Sequence, residues 1–140
     1  MFVCFFYYST MLETIKKILE LSEARISYLH NVDNKNWYKW YETYIQSIQD
    51  EMEEVIEEIK VDNTVHLEDE LWDIFWAYFC LLHSLEEDGF IQNKEQVLGR
   101  CYKKFHERLW NPDNWNHWTW EEIKEKQKKE LRDEHKKKHW

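Results

Sequence analysis

Two glycines, Gly89 and Gly99, and one proline, Pro112, are all that punctuate 140 residues. A P-loop, a dinucleotide-binding fingerprint or a hairpin-rich β-fold each needs several glycines at set places, because those backbones require φ > 0 or close approach to a ligand. None can be built from this chain, and an all-α fold is what remains. The length suits about one domain with a core of its own. A net charge of −9 argues against nucleic acid as a partner.

Three cysteines, Cys4, Cys80 and Cys101, are widely spaced and form no CxxC pair. A structural zinc site and a disulfide framework are both disfavoured, and a reducing cytoplasm fits. The opening run MFVCFFYYST is apolar but far too short to span a bilayer, and it lacks the basic start and cleavage site of a signal peptide. It reads either as an extension ahead of a start at Met11 or as part of the chain proper. The fold is expected to begin at residue 11.

Five helices follow from periodicity and capping. Thr10-x-x-Glu13 reads as a capping box opening a helix that runs to about His30. NVDNKN is a loop. A second helix spans about Trp37 to Lys60, with an apolar stripe of Tyr41, Tyr44, Ile45, Ile48, Met52, Val55, Ile56 and Ile59. The third spans about Leu67 to Leu85, and its middle, LWDIFWAYFCLL, is apolar almost all round. Such a helix belongs at the centre of a bundle or in an interface between chains. Charge flanks it too closely for a membrane span. Gly89 is suited to the αL position that ends it. Asn93-x-x-Gln96 caps a fourth helix to about Leu109, with Val97, Leu98, Cys101, Tyr102 and Phe105 expected inward. A tryptophan-rich loop, WNPDNWNHWTW, precedes a last helix, Glu121 to about Lys138, opened by Thr119-x-x-Glu122. With almost no apolar face, this helix is expected to be a solvated tail.

The negative charge is concentrated. Residues 50 to 73 hold eleven acids and one base, Lys60. At about 100° per residue, Glu53 and Glu57 fall opposite the apolar stripe of the second helix, as ordinary surface acids. Glu51, Glu54 and Glu58 fall together along one edge of it. On the third helix, Glu70 and Asp73 lie one turn apart at the mouth of the apolar segment. Burying like charges together is costly unless a cation neutralises them. Two acid pairs at i, i+3 on consecutive antiparallel helices can face each other, and oxygen-only ligands suit a hard cation, Mg²⁺ or Mn²⁺. None of the seven histidines follows a Glu by three residues, which excludes a ferritin-like di-iron site. On the fourth helix Arg100, Lys104 and Arg108 form a basic stripe at i, i+4, i+8. Alone it reads as a solvated face; beside a carboxylate-held metal it suits a polyphosphate.

EMEEVIEEI (51–59) followed by DELWDIFW (69–76) resembles the MazG-like nucleoside triphosphate pyrophosphohydrolases, an all-α superfamily that includes dimeric dUTPases and phosphoribosyl-ATP pyrophosphatase. The hallmark is an ExxE pair on one helix and an ExxD pair on the next, here Glu51 with Glu54 and Glu70 with Asp73. LLHSLEEDGF (81–90) resembles the family's end of the second of these helices. KKFHERL (103–109) is similar to a later Lys-x-x-Arg-Arg-His segment, matching Lys104 and Arg108, with Glu107 and Leu109 as departures. The family usually has Gly where this chain has Trp72, which bears on substrate identity more than on the metal site. The resemblance covers roughly residues 37 to 110.

It implies an antiparallel four-helix-bundle-like core in a domain of residues 11–110, with the tryptophan-rich loop and charged helix in 111–140. It also implies Mg²⁺-dependent cleavage (Mn²⁺ as a possible substitute) of the α–β phosphoanhydride bond of a nucleoside triphosphate. Glu51, Glu54, Glu70 and Asp73 would hold metal, Glu54 would take the proton from water, and Lys104 and Arg108 would hold phosphates. Trp37 or Trp40 would stack on the base, unless they serve only packing. A homodimer or homotetramer is expected, with neither nucleic acid nor membrane as partner. Two alternatives stand beside this reading. One is a substrate shift towards dUTP or a phosphoribosylated nucleotide. The other is a non-catalytic interaction module, to which nine tryptophans lend weight.

Overall fold

A computed structural model describes residues 2–32, 37–109 and 120–139, with side chains from residue 10 onward. It is all-α. The helices are α1 (Phe2–Asn31), α2 (Tyr41–Glu58), α3 (Thr64–Glu87), α4 (Lys94–Leu109) and α5 (Trp120–His139), and no strand occurs among the described residues. The chain divides into two compact units, Met1–Gln92 and Asn93–Trp140. The boundary expected at 110/111 lies outside the described residues, as do Thr119 and the tryptophan-rich loop.

In the first unit α3 packs against both α1 and α2. α2 and α3 form a hairpin joined by only five residues. The core gathers Ile26 and Leu29 from α1, Tyr38 and Tyr44 around the start of α2, and Cys80 from α3, flanked by Trp76 and Leu81. Polar groups within it are partnered. The Ser22 hydroxyl donates to the Leu19 carbonyl at 2.8 Å, and His83 Nε2 donates to the same oxygen at 3.2 Å. Tyr38 shares hydrogen bonds with Ser84 Oγ at 3.0 Å and with His30 Nδ1 at 3.2 Å. Among the described residues no buried side-chain donor or acceptor is left without a partner, as a stable interior requires.

The helix ends differ from expectation in instructive places. Thr10 does not open α1, because helix extends back to Phe2. Thr10 is an interior residue whose carbonyl accepts the Thr14 hydroxyl at 2.9 Å. No Gly or Pro precedes it to stop propagation, and each added residue gains a backbone hydrogen bond. α2 begins at Tyr41 rather than Trp37, since Trp40 sits at φ 56°, outside the helical region. α3 ends as the sequence predicts. Gly89 takes φ 73°, its N–H donates to Glu86 O, and the Phe90 N–H donates to Leu85 O. These two bonds are those of a Schellman cap. Asn93 Oδ1 accepts the Gln96 N–H at 2.8 Å, so the second capping signature also holds.

The expected α2 stripe is buried only in part. Tyr44 and Val55 are interior, whereas Ile45, Met52, Ile56 and Ile59 are exposed, Ile59 lying beyond the end of the helix. On α3, Leu71, Trp72, Phe75 and Tyr78 share a second uncovered face.

The second unit corrects two expectations. α4 has no buried residue; of the five expected inward, Leu98, Cys101, Tyr102 and Phe105 are exposed and Val97 is half-covered. α5 is not a free tail, for it docks on α4 with Ile123 and Gln127 buried. The physical reason is charge as much as apolar area. Arg100 makes a bidentate pair with Glu134 at 2.6 and 2.9 Å, and Lys103 lies 3.5 Å from Glu130. A paired fork of this kind is worth more than a single surface ion pair.

Candidate functional site

The antiparallel hairpin brings the second half of α2 against the first half of α3, so the two acid pairs meet. Carboxylate oxygens of Glu51, Glu70 and Asp73 lie within 4.8 Å of one another. Glu51 and Glu70 are half-buried and Asp73 is exposed. Glu54, exposed on the same edge, comes within hydrogen-bonding reach of the Glu70 carboxyl. All four predicted acids therefore share one neighbourhood.

The electrostatics follow from that crowding. Partial burial, and then the charges of Asp73, Glu54 and Glu70, push the Glu51 carboxyl above the usual carboxylate range. Glu70 is pushed in the same direction by desolvation and by its neighbours Glu54, Asp73 and Asp69. Among the described residues no basic side chain counters either group. Carboxylates crowded in this way are poised for a cation, and their all-oxygen donors match a hard divalent ion.

Glu58, which helical geometry groups with Glu51 and Glu54, goes elsewhere. It accepts a short hydrogen bond from Asn63 Nδ2 and lies 3.5 Å from Lys60 Nζ, and these partners lower its pKa. It serves the α2–α3 turn, where Asp62 has φ 60°. Trp72 does not wedge between the helices. Its ring is about half exposed and meets Phe75 edge-on, with centroids 5.7 Å apart. Among the described residues no histidine takes part in the acid cluster.

Trp37 and Trp40 lie at the opposite end of α2. Trp40 is eleven residues before Glu51, about 16 Å of helical rise. Trp40 packs edge-on against His30 at 4.4 Å, and Trp37 lies under Arg25 at 5.5 Å, yet both indoles stay about half exposed.

In the second unit, α4 and α5 enclose a groove of about 530 Å³, lined by six cationic and three acidic side chains. The three members of the basic stripe differ in state. Arg100 is committed to Glu134. Lys104 meets no carboxylate among the described residues, and its ammonium sits 5.4 Å from the centre of Phe105. The Arg108 guanidinium lies 5.0 Å from Trp120 and 5.9 Å from Phe105, with Nε donating to Gln127 Oε1 at 2.8 Å. Sequence reasoning missed Gln127, since a glutamine in a run of charges reads as solvated. The available signal was spacing: Ile123, Gln127 and Leu131 recur at i, i+4, i+8.

A family model, the MazG nucleotide pyrophosphohydrolase domain, matches residues 39–111. No curated protein and no solved structure matches the chain. The matched span contains both acid pairs and the basic stripe and ends before α5. With more than half the chain covered, and its paired acids meeting across the α2–α3 hairpin, this protein belongs to the MazG nucleotide pyrophosphohydrolase family, hydrolases of phosphoanhydride bonds.

Proposed function

We propose that the chain cleaves the α–β phosphoanhydride bond of ribo- or deoxyribonucleoside triphosphates with a divalent cation, giving a nucleoside monophosphate and pyrophosphate. The observation that supports this reading is the convergence of Glu51, Glu70 and Asp73 to within 4.8 Å. The donor set is all carboxylate oxygen and its members repel one another, so it fits Mg²⁺, with Mn²⁺ a possible substitute. Glu51, Glu70 and Asp73 would hold the ion. When bound, it supplies neutralisation of charge on phosphate oxygens. Glu54 lies beside that trio rather than within it, and accepts the proton of the attacking water. Lys104 and Arg108, as the two cations of the stripe with no carboxylate partner among the described residues, bind phosphate oxygens. Trp37 or Trp40 offers a half-exposed indole face to the base.

A second copy of the chain covers Leu71, Trp72, Phe75 and Tyr78. Four large side chains at i, i+1, i+4 and i+7 are an uncommon face to leave in water. Sedimentation of the wild type as a dimer or tetramer, and of Phe75→Glu as a monomer, is expected; a monomeric wild type refutes it. Unpaired Cys80 and Cys101 suit a reducing, cytoplasmic setting. No helix among the described residues is long and apolar enough to cross a membrane.

The test is pyrophosphate release from canonical, deoxy and damaged nucleoside triphosphates, with dUTP and a phosphoribosylated nucleotide alongside, in Mg²⁺, Mn²⁺ or EDTA. Release that stops in EDTA and leaves a monophosphate is expected. Orthophosphate as the product, or turnover undiminished by EDTA, overturns the reading.

A further inference from the structure

The family match ends at residue 111, yet the best-positioned cation of the basic stripe is held by a residue beyond it. Gln127 is buried, and its amide is fully used. Nε2 donates to the Lys104 carbonyl at 3.2 Å and to Glu107 Oε2 at 2.7 Å. Oε1 accepts from Arg108 Nε at 2.8 Å. The orientation of the amide follows from chemistry. Turned over, it would set its NH₂ against the Arg108 N–H and its oxygen against two acceptors.

These bonds determine how the guanidinium is presented. An arginine donates through Nε and through two Nη groups in one plane. With Nε tied to Gln127 and the guanidinium carbon 5.9 Å and 5.0 Å from the Phe105 and Trp120 ring centres, the two Nη groups are what remains for a ligand, and no acceptor meets them among the described residues. Lys104 stands one turn earlier on α4, meets no carboxylate among the described residues and lines the same groove. Gln127 also occupies one oxygen of Glu107, the acid nearest Arg108 in sequence, leaving that carboxylate less able to bind the arginine in place of a ligand.

We infer that Gln127 is a positioning residue. From α5 it aims Arg108 so that the groove between α4 and α5 binds a phosphate-bearing anion. This rests on the proposed phosphate role of Arg108 and adds to it a device supplied by a helix outside the family match.

The test uses the full chain, inorganic pyrophosphate as probe, and EDTA throughout, so that no cation at the acid cluster contributes. Affinity is read by calorimetry for wild type, Gln127→Met, Arg108→Met and the double variant. Gln127→Met keeps side-chain volume and removes the hydrogen bonds. Far-UV circular dichroism and amide exchange on α5 report whether the helix stays docked; if it does not, Gln127→Asn, which keeps a polar amide but draws it back from Arg108 Nε, takes its place with the same expected loss. A loss of about ten-fold is expected for Gln127→Met, the scale of one hydrogen bond to a charged group. Arg108→Met should lose at least as much, and the double variant no more than Arg108→Met alone. A purely structural glutamine gives additive losses, and that result overturns the inference, as does full affinity in Gln127→Met. Loss in Arg108→Met with none in Gln127→Met removes the positioning role and keeps Arg108 as a phosphate ligand. Undiminished binding by Arg108→Met, or none by wild type, overturns both.

Discussion

Replacing Glu51 by Gln should raise the stability of the metal-free protein and lower that of the metal-loaded one. The substitution removes one charge and almost no volume. Carboxylate oxygens of Glu70 and Asp73 lie within 4.8 Å of a Glu51 oxygen. At that distance two unit charges in a water-like dielectric repel by about 0.9 kcal/mol, and salt at physiological strength reduces this to about 0.5. Two partners make the relief about 1 kcal/mol, a value already discounted for solvent exposure. For a chain of this size that is about 4 °C in melting temperature. In EDTA, then, Glu51→Gln should melt above wild type. With divalent cation at ten times its Kd, wild type gains about 1.4 kcal/mol, and the variant, short of one ligand, gains much less. The order of the two melting curves should invert. Acid gives an independent check. Because the folded carboxyl of Glu51 binds its proton more readily than the unfolded one, lowering the pH from neutrality relieves the same repulsion in the wild type. The EDTA advantage of the variant should therefore shrink towards pH 5. A calorimetric scan settles the matter. If Glu51→Gln melts below wild type in EDTA, or wild type gains nothing from Mg²⁺ or Mn²⁺, the acids are not a cation site.

Three further outcomes are expected. Asp73→Asn should abolish metal-dependent pyrophosphate release while circular dichroism stays that of wild type, since charge is lost and volume kept; near-normal turnover would remove Asp73 from the site. In the second unit, Arg100 and Lys138 hold the Glu134 carboxyl down at about 2, against an ordinary value of 4.5. A depressed acid contributes stability above its unfolded pKa and loses it as pH falls through the folded one, so amide protection on α5 should decline between pH 4.5 and 2; unchanged protection at pH 2 contradicts the pairing. Cys80, fully buried and with its thiol pushed up to about 11, should resist alkylation in the native protein while exposed Cys101 reacts; peptide mass mapping that finds Cys80 modified before unfolding would refute the packing.

What was legible in the sequence follows a physical line. Capping at Gly89 and Asn93 could be read because each depends on a few adjacent residues. The acid cluster could be read because i, i+3 spacing and a short hairpin loop leave little freedom in how two helices meet. Thr10 misled, because a capping box states that a helix can begin there, not that it must. Glu58 shared the right helical edge, but Asn63 and Lys60 in the turn compete for it, and periodicity carries no information about such partners. α5 was opaque for a different reason. Its docking rests on a buried amide and on ion pairs to α4, including Arg100–Glu134 and Lys103–Glu130, whose partners are 34 and 27 positions apart. Hydropathy cannot register contacts of that kind.

Trp72 shows how one helix can carry two separate faces. It stands between Glu70 and Asp73, where the family pattern has Gly, and a bulky ring at that place ought to disturb either the helix pair or the acids. Neither is disturbed, because residues one and two positions from an acid are turned by about 100° and 200° around the axis. Glu70 and Asp73 keep the edge towards α2, and Leu71, Trp72 and Phe75 occupy the outer side, with the Trp72 ring on Phe75. The large residue thus enlarges the uncovered aromatic face and leaves the carboxylate spacing unchanged. Substitution at Trp72 should alter what associates with α3 before it alters what the acids bind. By the same geometry, a second copy seated on that face would lie one helix-width from the acid cluster, about 10 Å, close enough for its outer side chains to border the substrate.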